Sequence, residues 1–203
     1  PGLKLEKLDL SGGLMDCRNL TSAGLVQLLS KCSATLTVLN LSSTTIIGEG
    51  LENLPDLKLE TLSLSFSKYL TNIALLRFLG KCSATLKDLN LSLTTISGEG
   101  LESLPVLKLE KLDLKNCRNL TKTGLLEFLS KCSATLKDLN LSETTISGEG
   151  LESLPVLYLE ELNLTYCQNL TKTGLLEFLS KCSATLKDLN LSETEISGEG
   201  LES

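Results

Sequence analysis

Seven cysteines, at positions 17, 32, 82, 117, 132, 167 and 182, are the side chains of this sequence with the most chemistry open to them. Thiols can act as nucleophiles, bind zinc or cross-link. The chain has no His, so no imidazole activates a thiol or hydroxyl and no His-ligated zinc site forms. No C-x-x-C pair occurs either, which removes the usual spacing of a cysteine zinc site. Glu160–Glu161 and Lys187–Asp188 offer acid and base groups. Neighbours along a strand point to opposite faces, however, and no pocket-forming loop or second domain is expected to desolvate them. Gly148-Glu149-Gly150 lacks the Lys-Ser/Thr that completes a phosphate loop and reads as a tight strand-to-helix connection. The expectation is a protein that is not an enzyme, with no cofactor and no metal.

Composition points the same way. Of 203 residues 53 are Leu and only seven are aromatic, Trp is absent, and 41 % are hydrophobic against 22 % charged, which describes a globular chain. No apolar run approaches the ~18 residues of a membrane span, so membrane insertion is not expected. A net charge of −6 argues against nucleic acid, which calls for a basic patch.

The elements that must position these residues follow from an internal period. KCSATL occurs at 31–36, 81–86, 131–136 and 181–186, and Gly-Glu-Gly-Leu at 48–51, 98–101, 148–151 and 198–201, so the step is fifty residues. Each block splits into a long half (109–135 in the third) and a short half (136–158), both opening on L-x-x-L-x-L. The eight half-units run 5–35, 36–58, 59–85, 86–108, 109–135, 136–158, 159–185 and 186–203, within one domain spanning 1–203. L-x-x-L-x-L is a short strand with its leucines on one face. Thr121 is a helix N-cap, and the spacing of Leu125, Leu126, Phe128 and Leu129 predicts an amphipathic helix over 122–132. In the short half Ser147 caps a shorter turn of helix through Leu151 and Leu154, ended by Pro155. One such unit cannot bury its leucines, whereas stacked copies can, so the chain is expected to be a solenoid.

With these motifs the sequence resembles the leucine-rich repeat proteins. The long half fits LxxLxLxxCxxLTxxGLxxLxxxC, the cysteine-containing subclass found in the substrate arms of F-box ubiquitin-ligase adaptors, and the alternation of unlike halves is similar to ribonuclease-inhibitor-like repeats. Ser67 and Ala74 depart from that pattern in block two, four extra residues interrupt block one around 11–16, and no F-box motif carries the adaptor role over. The resemblance implies an α/β solenoid: a right-handed arc with a parallel sheet on its concave face, helices on its convex face, and a protein partner on the sheet.

Within that layout the cysteines read as reduced core thiols. A helix of ten residues is about 15 Å long and separates Cys117, at the strand's end, from Cys132. Equivalent thiols two strand spacings apart lie roughly 9–10 Å from one another, beyond disulfide reach. No disulfides suits a cytoplasmic protein. The Asn-Leu-Ser and Asn-Leu-Thr sequons at Asn40, Asn90, Asn140 and Asn190 and at Asn19, Asn119, Asn163 and Asn169 would crowd the same face with glycans in a secreted chain.

Aligning 109–153 with 159–203 leaves six differences in 45 positions: Lys111/Glu161, Asp113/Asn163, Lys115/Thr165, Asn116/Tyr166, Arg118/Gln168 and Thr145/Glu195. All fall on outward strand positions or at strand exits, and the same places vary in the other blocks at Ser43, Ser65, Phe66, Leu93, Glu143 and Glu193. The candidate protein-binding residues are therefore Phe66, Leu93, Lys111, Asp113, Lys115, Asn116, Glu143, Glu161, Asn163, Tyr166 and Glu193, with the apolar ones as anchors and the charged ones setting complementarity. Tolerance of exposed positions to change is the competing explanation. The nearly verbatim framework equally suits an engineered or recently duplicated scaffold without a natural ligand. Its open solenoid ends would then allow copies to associate end to end as a homo-oligomer.

Overall fold

In a computed structural model of the chain, residues 3–12, 21–45 and 53–196 are described. Eight strands of three residues form one parallel sheet in sequence order: β1 Lys7–Asp9, β2 Val38–Asn40, β3 Thr61–Ser63, β4 Asp88–Asn90, β5 Lys111–Asp113, β6 Asp138–Asn140, β7 Glu161–Asn163 and β8 Asp188–Asn190. The central leucines stand in one register row, from Leu8 and Leu39 through to Leu162 and Leu189. They point inward, and the flanking residues of every strand point outward. Four helices lie behind the sheet: α1 Ser22–Cys32, α2 Asn72–Cys82, α3 Lys122–Cys132 and α4 Lys172–Cys182. Together they make an α/β solenoid, one strand per half-unit and one helix per long half.

Recurring framework residues hold the helices against the sheet. Thr121 and Thr171 cap their helices by accepting the N–H of Gly124 and Gly174 at 3.0 Å. At the other end Thr85, Thr135 and Thr185 of KCSATL donate to the carbonyls of Leu59, Leu109 and Leu159 at 2.7–2.8 Å, tying each helix exit to the strand entrance before it. The carbonyls of Lys81, Lys131 and Lys181, left over at the helix ends, accept the N–H of Leu57, Leu107 and Leu157. Gly124 and Gly174 leave room for the Ser97–Gly98 and Ser147–Gly148 backbone, where a Cβ would collide. Phe78, Phe128 and Phe178 fill the space between helices and sheet.

The structure corrects the short half. No helix follows Ser147, and the preceding copy has only a three-residue 3-10 turn at Leu101–Ser103. The pair of glycines in left-handed conformation, Gly98 and Gly100 (φ 79° and 90°), repeated as Gly148 and Gly150, keeps right-handed backbone from starting before residue 101 or 151, and Pro105 or Pro155 follows too soon for a full helix. Cys117 also lies past the end of β5 rather than on it, in a turn where its Sγ donates to the Leu91 carbonyl at 3.1 Å. The six described cysteines are free and buried. Burial pushes the Cys82 and Cys132 thiols up to about 12 and Cys182 to about 11. Most of the extra segment of block one, from residue 13 on, lies outside the described residues, as do Cys17 and Asn19.

Candidate recognition face

The outward side of the sheet carries two rows of side chains, and a third feature borders them at the strand exits. The first row reads Lys7, Val38, Thr61, Asp88, Lys111, Asp138, Glu161, Asp188. The second reads Asp9, Asn40, Ser63, Asn90, Asp113, Asn140, Asn163, Asn190. In this second row the side chain turns back on its own backbone: Asn90 Oδ1 accepts the Ser92 N–H at 2.9 Å, Asp113 Oδ1 that of Lys115 at 2.9 Å, and Asn163 Oδ1 that of Thr165 at 3.0 Å. The sequon asparagines on the strands thus close an Asx turn at each strand exit.

That turn sets up the third feature. Ser43, Phe66, Leu93, Asn116, Glu143, Tyr166 and Glu193 all have φ between 56° and 60°. Each is the third residue of a turn such as Leu64–Ser67, closed by the Ser67 N–H to the Leu64 carbonyl at 3.3 Å. A positive φ at this place favours Gly or Asn, and only Asn116 is either. A side chain on such a residue costs about 1 kcal/mol or more. The cost is met repeat after repeat, and the result is a ridge along the sheet border whose backbone is held. Phe66, Asn116 and Tyr166 N–H groups donate to Ser92, Ser142 and Ser192 carbonyls of the following repeat at 2.8, 2.8 and 3.0 Å. Phe66, Leu93 and Tyr166 remain 42, 43 and 49 % exposed on this ridge, with the Lys68 ammonium over the Phe66 ring.

The structure brings the candidate residues together on one surface. Lys111, Asp113, Glu161 and Asn163 are on the strands; Lys115 follows β5; Phe66, Leu93, Asn116, Glu143, Tyr166 and Glu193 are ridge residues. Glu143 is held by Lys115 Nζ at 3.0 Å and Asn116 Nδ2 at 2.7 Å, and these contacts lower its carboxyl below the usual range, the Lys115 contact most. Beside it a shallow hollow of about 430 Å³ opens at the strand exits, lined by Arg118, Glu143, Thr145, Tyr166, Gln168 and Asn169. A hollow there was not expected from the sequence. Three of the six block differences meet in it. Glu160 precedes β7 rather than lying on it, and it pairs with Lys187, which lowers its carboxyl.

Sequence comparison missed Asp88, Asp138 and Asp188, which occupy the first row but are identical in three blocks, so a search for differences passes over them. Their signal was the outward charge in the repeated Lys-Asp-Leu-Asn. Among the described residues no group of His, Cys, Asp or Glu is placed to hold a metal, and no helix is long and apolar enough to cross a membrane.

The family model for leucine-rich repeats matches residues 32–54, 82–104, 132–154, 157–179 and 182–203, more than half of the chain. The chain is a leucine-rich repeat protein. No curated protein matches it. Within this family, the cysteine-containing pattern is compatible with the buried Cys117 and Cys167, each donating to the carbonyl of an adjacent strand exit. Leucine-rich repeats suggest a protein–protein interaction module, a recognition fold that is typically non-enzymatic.

Proposed function

We propose that this arc is a non-enzymatic module that holds a protein partner against the outward sheet face and the exit ridge. One observation carries the reading: the six positions that differ between the last two blocks all lie on this surface, while the packed framework is copied without change. The ridge adds to it. Phe, Leu and Tyr sit where Gly or Asn would be less strained, half-exposed and fixed in direction, which are the properties of an interface anchor. The Cys117 and Cys167 thiols behind this surface are raised by burial and core-facing, the opposite of an activated nucleophile.

The test is the triple variant Phe66→Ala, Leu93→Ala, Tyr166→Ala, assayed against a purified binding partner. Ala keeps the same positive-φ cost, so the fold is expected to persist. A loss of affinity of tenfold or more is expected, the usual size of an anchor cluster. Unchanged affinity with an intact fold would remove the ridge from the binding surface.

A further inference from the structure

Charge on the outward face is segregated in a way that folding does not need. Two neighbouring rows, one residue apart along each strand, show the contrast. Just before the strands the row alternates Glu60, Lys87, Glu110, Lys137, Glu160, Lys187, and its members pair: Lys87 with Glu60 at 3.1 Å, Lys137 with Glu110 at 3.2 Å, and Lys187 with Glu160. The first strand row instead reads Asp88, Lys111, Asp138, Glu161, Asp188, with Asp113 beside Lys111 in the second row. Lys111 pairs with Asp138. Glu161 and Asp188 then follow on consecutive strands with no cation opposite them, an arrangement of like charges that destabilises a sheet. Five carboxylates and one ammonium give the floor of β4–β8 a net −4 out of the chain's −6. Four of the six differences between the last two blocks push the same way, since Lys111/Glu161, Lys115/Thr165, Arg118/Gln168 and Thr145/Glu195 each make the last block more negative, while Asp113/Asn163 goes the other way. Burial raises the Asp88 and Asp113 carboxyls, and neighbouring carboxylates raise them further.

Resting on the recognition reading above, we infer that the floor of β4–β8 receives a basic, extended segment of the protein partner, whose Lys or Arg side chains meet Asp88, Asp138, Glu161 and Asp188. Charge complementarity selects this occupant over an acidic or neutral one. Four strand spacings of about 4.8 Å make a track that an extended segment of roughly six residues spans. A hollow of about 260 Å³ lined by Lys111, Asp113, Asp138, Glu161, Asn163 and Asp188 lies along it. The exit ridge with Leu93 and Tyr166 borders the track on one side.

The experiment uses the full chain and a fluorescein-labelled hexalysine peptide, with an alternating Lys-Glu hexamer as the neutral control. A floor variant (Asp138→Asn, Glu161→Gln, Asp188→Asn) is compared with a variant that loses the same charge elsewhere (Asp56→Asn, Glu102→Gln, Glu152→Gln). The floor variant is expected to bind hexalysine about tenfold more weakly than the parent, and the control variant within twofold of it. Lys111→Gln removes the only cation of the track and is expected to tighten binding several-fold, an effect that misfolding would not produce. Equal weakening in both triple variants, or no tightening with Lys111→Gln, overturns the basic-segment assignment. Either outcome leaves the ridge test to judge the recognition reading by itself.

Discussion

Gly124→Ala probes the close approach that sets the spacing between a short half and the helix after it. An alanine Cβ at this position would fall inside contact distance of the Ser97 carbonyl oxygen and 2.8 Å from Gly98 Cα and carbonyl carbon. These are backbone atoms, so no rotamer change relieves the collision and the loop must move. The Ser97 carbonyl also accepts the Thr121 N–H at 3.1 Å and the Thr121 hydroxyl at 3.4 Å, and both bonds stretch when it moves. Overpacking of this kind costs about 1–3 kcal/mol, and each weakened hydrogen bond adds up to ~1 kcal/mol. Against this, Ala gains about 1 kcal/mol of helix propensity over Gly. The net expectation is a loss of about 2–3 kcal/mol. With a urea dependence of roughly 2–3 kcal/mol per molar, the unfolding midpoint followed by circular dichroism should fall by about 1 M. Gly174→Ala, which faces Ser147 and Gly148 in the same way, should repeat the result. A midpoint that is unchanged or raised in either variant would show that helix propensity, not the backbone contact, governs this position.

Two further outcomes follow from the site electrostatics and the core. Asp113→Asn keeps the Asx-turn acceptor that Asn90, Asn140 and Asn163 supply elsewhere, and it removes a carboxylate whose pKa is raised by burial. Because the folded state disfavours that charge, the variant should be more stable than the parent at pH 7, by at most about 1 kcal/mol after solvent screening. The difference should vanish as pH falls below the unfolded value near 3.8, where the carboxyl is protonated in both states. Six buried thiols should resist a disulfide reagent at pH 8 in the native protein, with all seven reacting once it is unfolded. Their raised values stabilise the fold below the unfolded pKa of 9.0, and that contribution is lost as pH climbs toward the folded value of about 12 at Cys82 and Cys132. Native thiols titrating with a free cysteine's reactivity would contradict this packing.

The long half was legible because two independent signals coincide there. The apolar period of Leu125, Phe128 and Leu129 and the cap at Thr121 both place the helix at 122–132, and the structure has it at Lys122–Cys132. The sheet was legible for the same reason, since a leucine recurs at each inward position. The short half was misread because its leucines share the helical spacing while left-handed Gly98, Gly100, Gly148 and Gly150 delay right-handed backbone to residue 101 or 151, just ahead of Pro105 or Pro155. Those glycines were visible, but their φ depends on the fit to the neighbouring repeat. The exit ridge was legible in position and hidden in conformation, because Phe66, Leu93, Glu143 and Tyr166 are not residue types that signal a positive φ. Asp88, Asp138 and Asp188 on the floor were hidden by their constancy, since variation marks a surface only where it occurs.

Hydroxyl-radical footprinting of the full chain with and without a bound protein partner tests the recognition surface most directly. Phe66 and Tyr166 on the ridge, and Tyr158 on the strand-entry side, are 42, 49 and 53 % exposed and oxidise readily in the free protein. The account predicts that partner binding protects Phe66 and Tyr166 severalfold and leaves Tyr158 unchanged. Protection of Tyr158 with Phe66 and Tyr166 still fully reactive would place the partner elsewhere and contradict it.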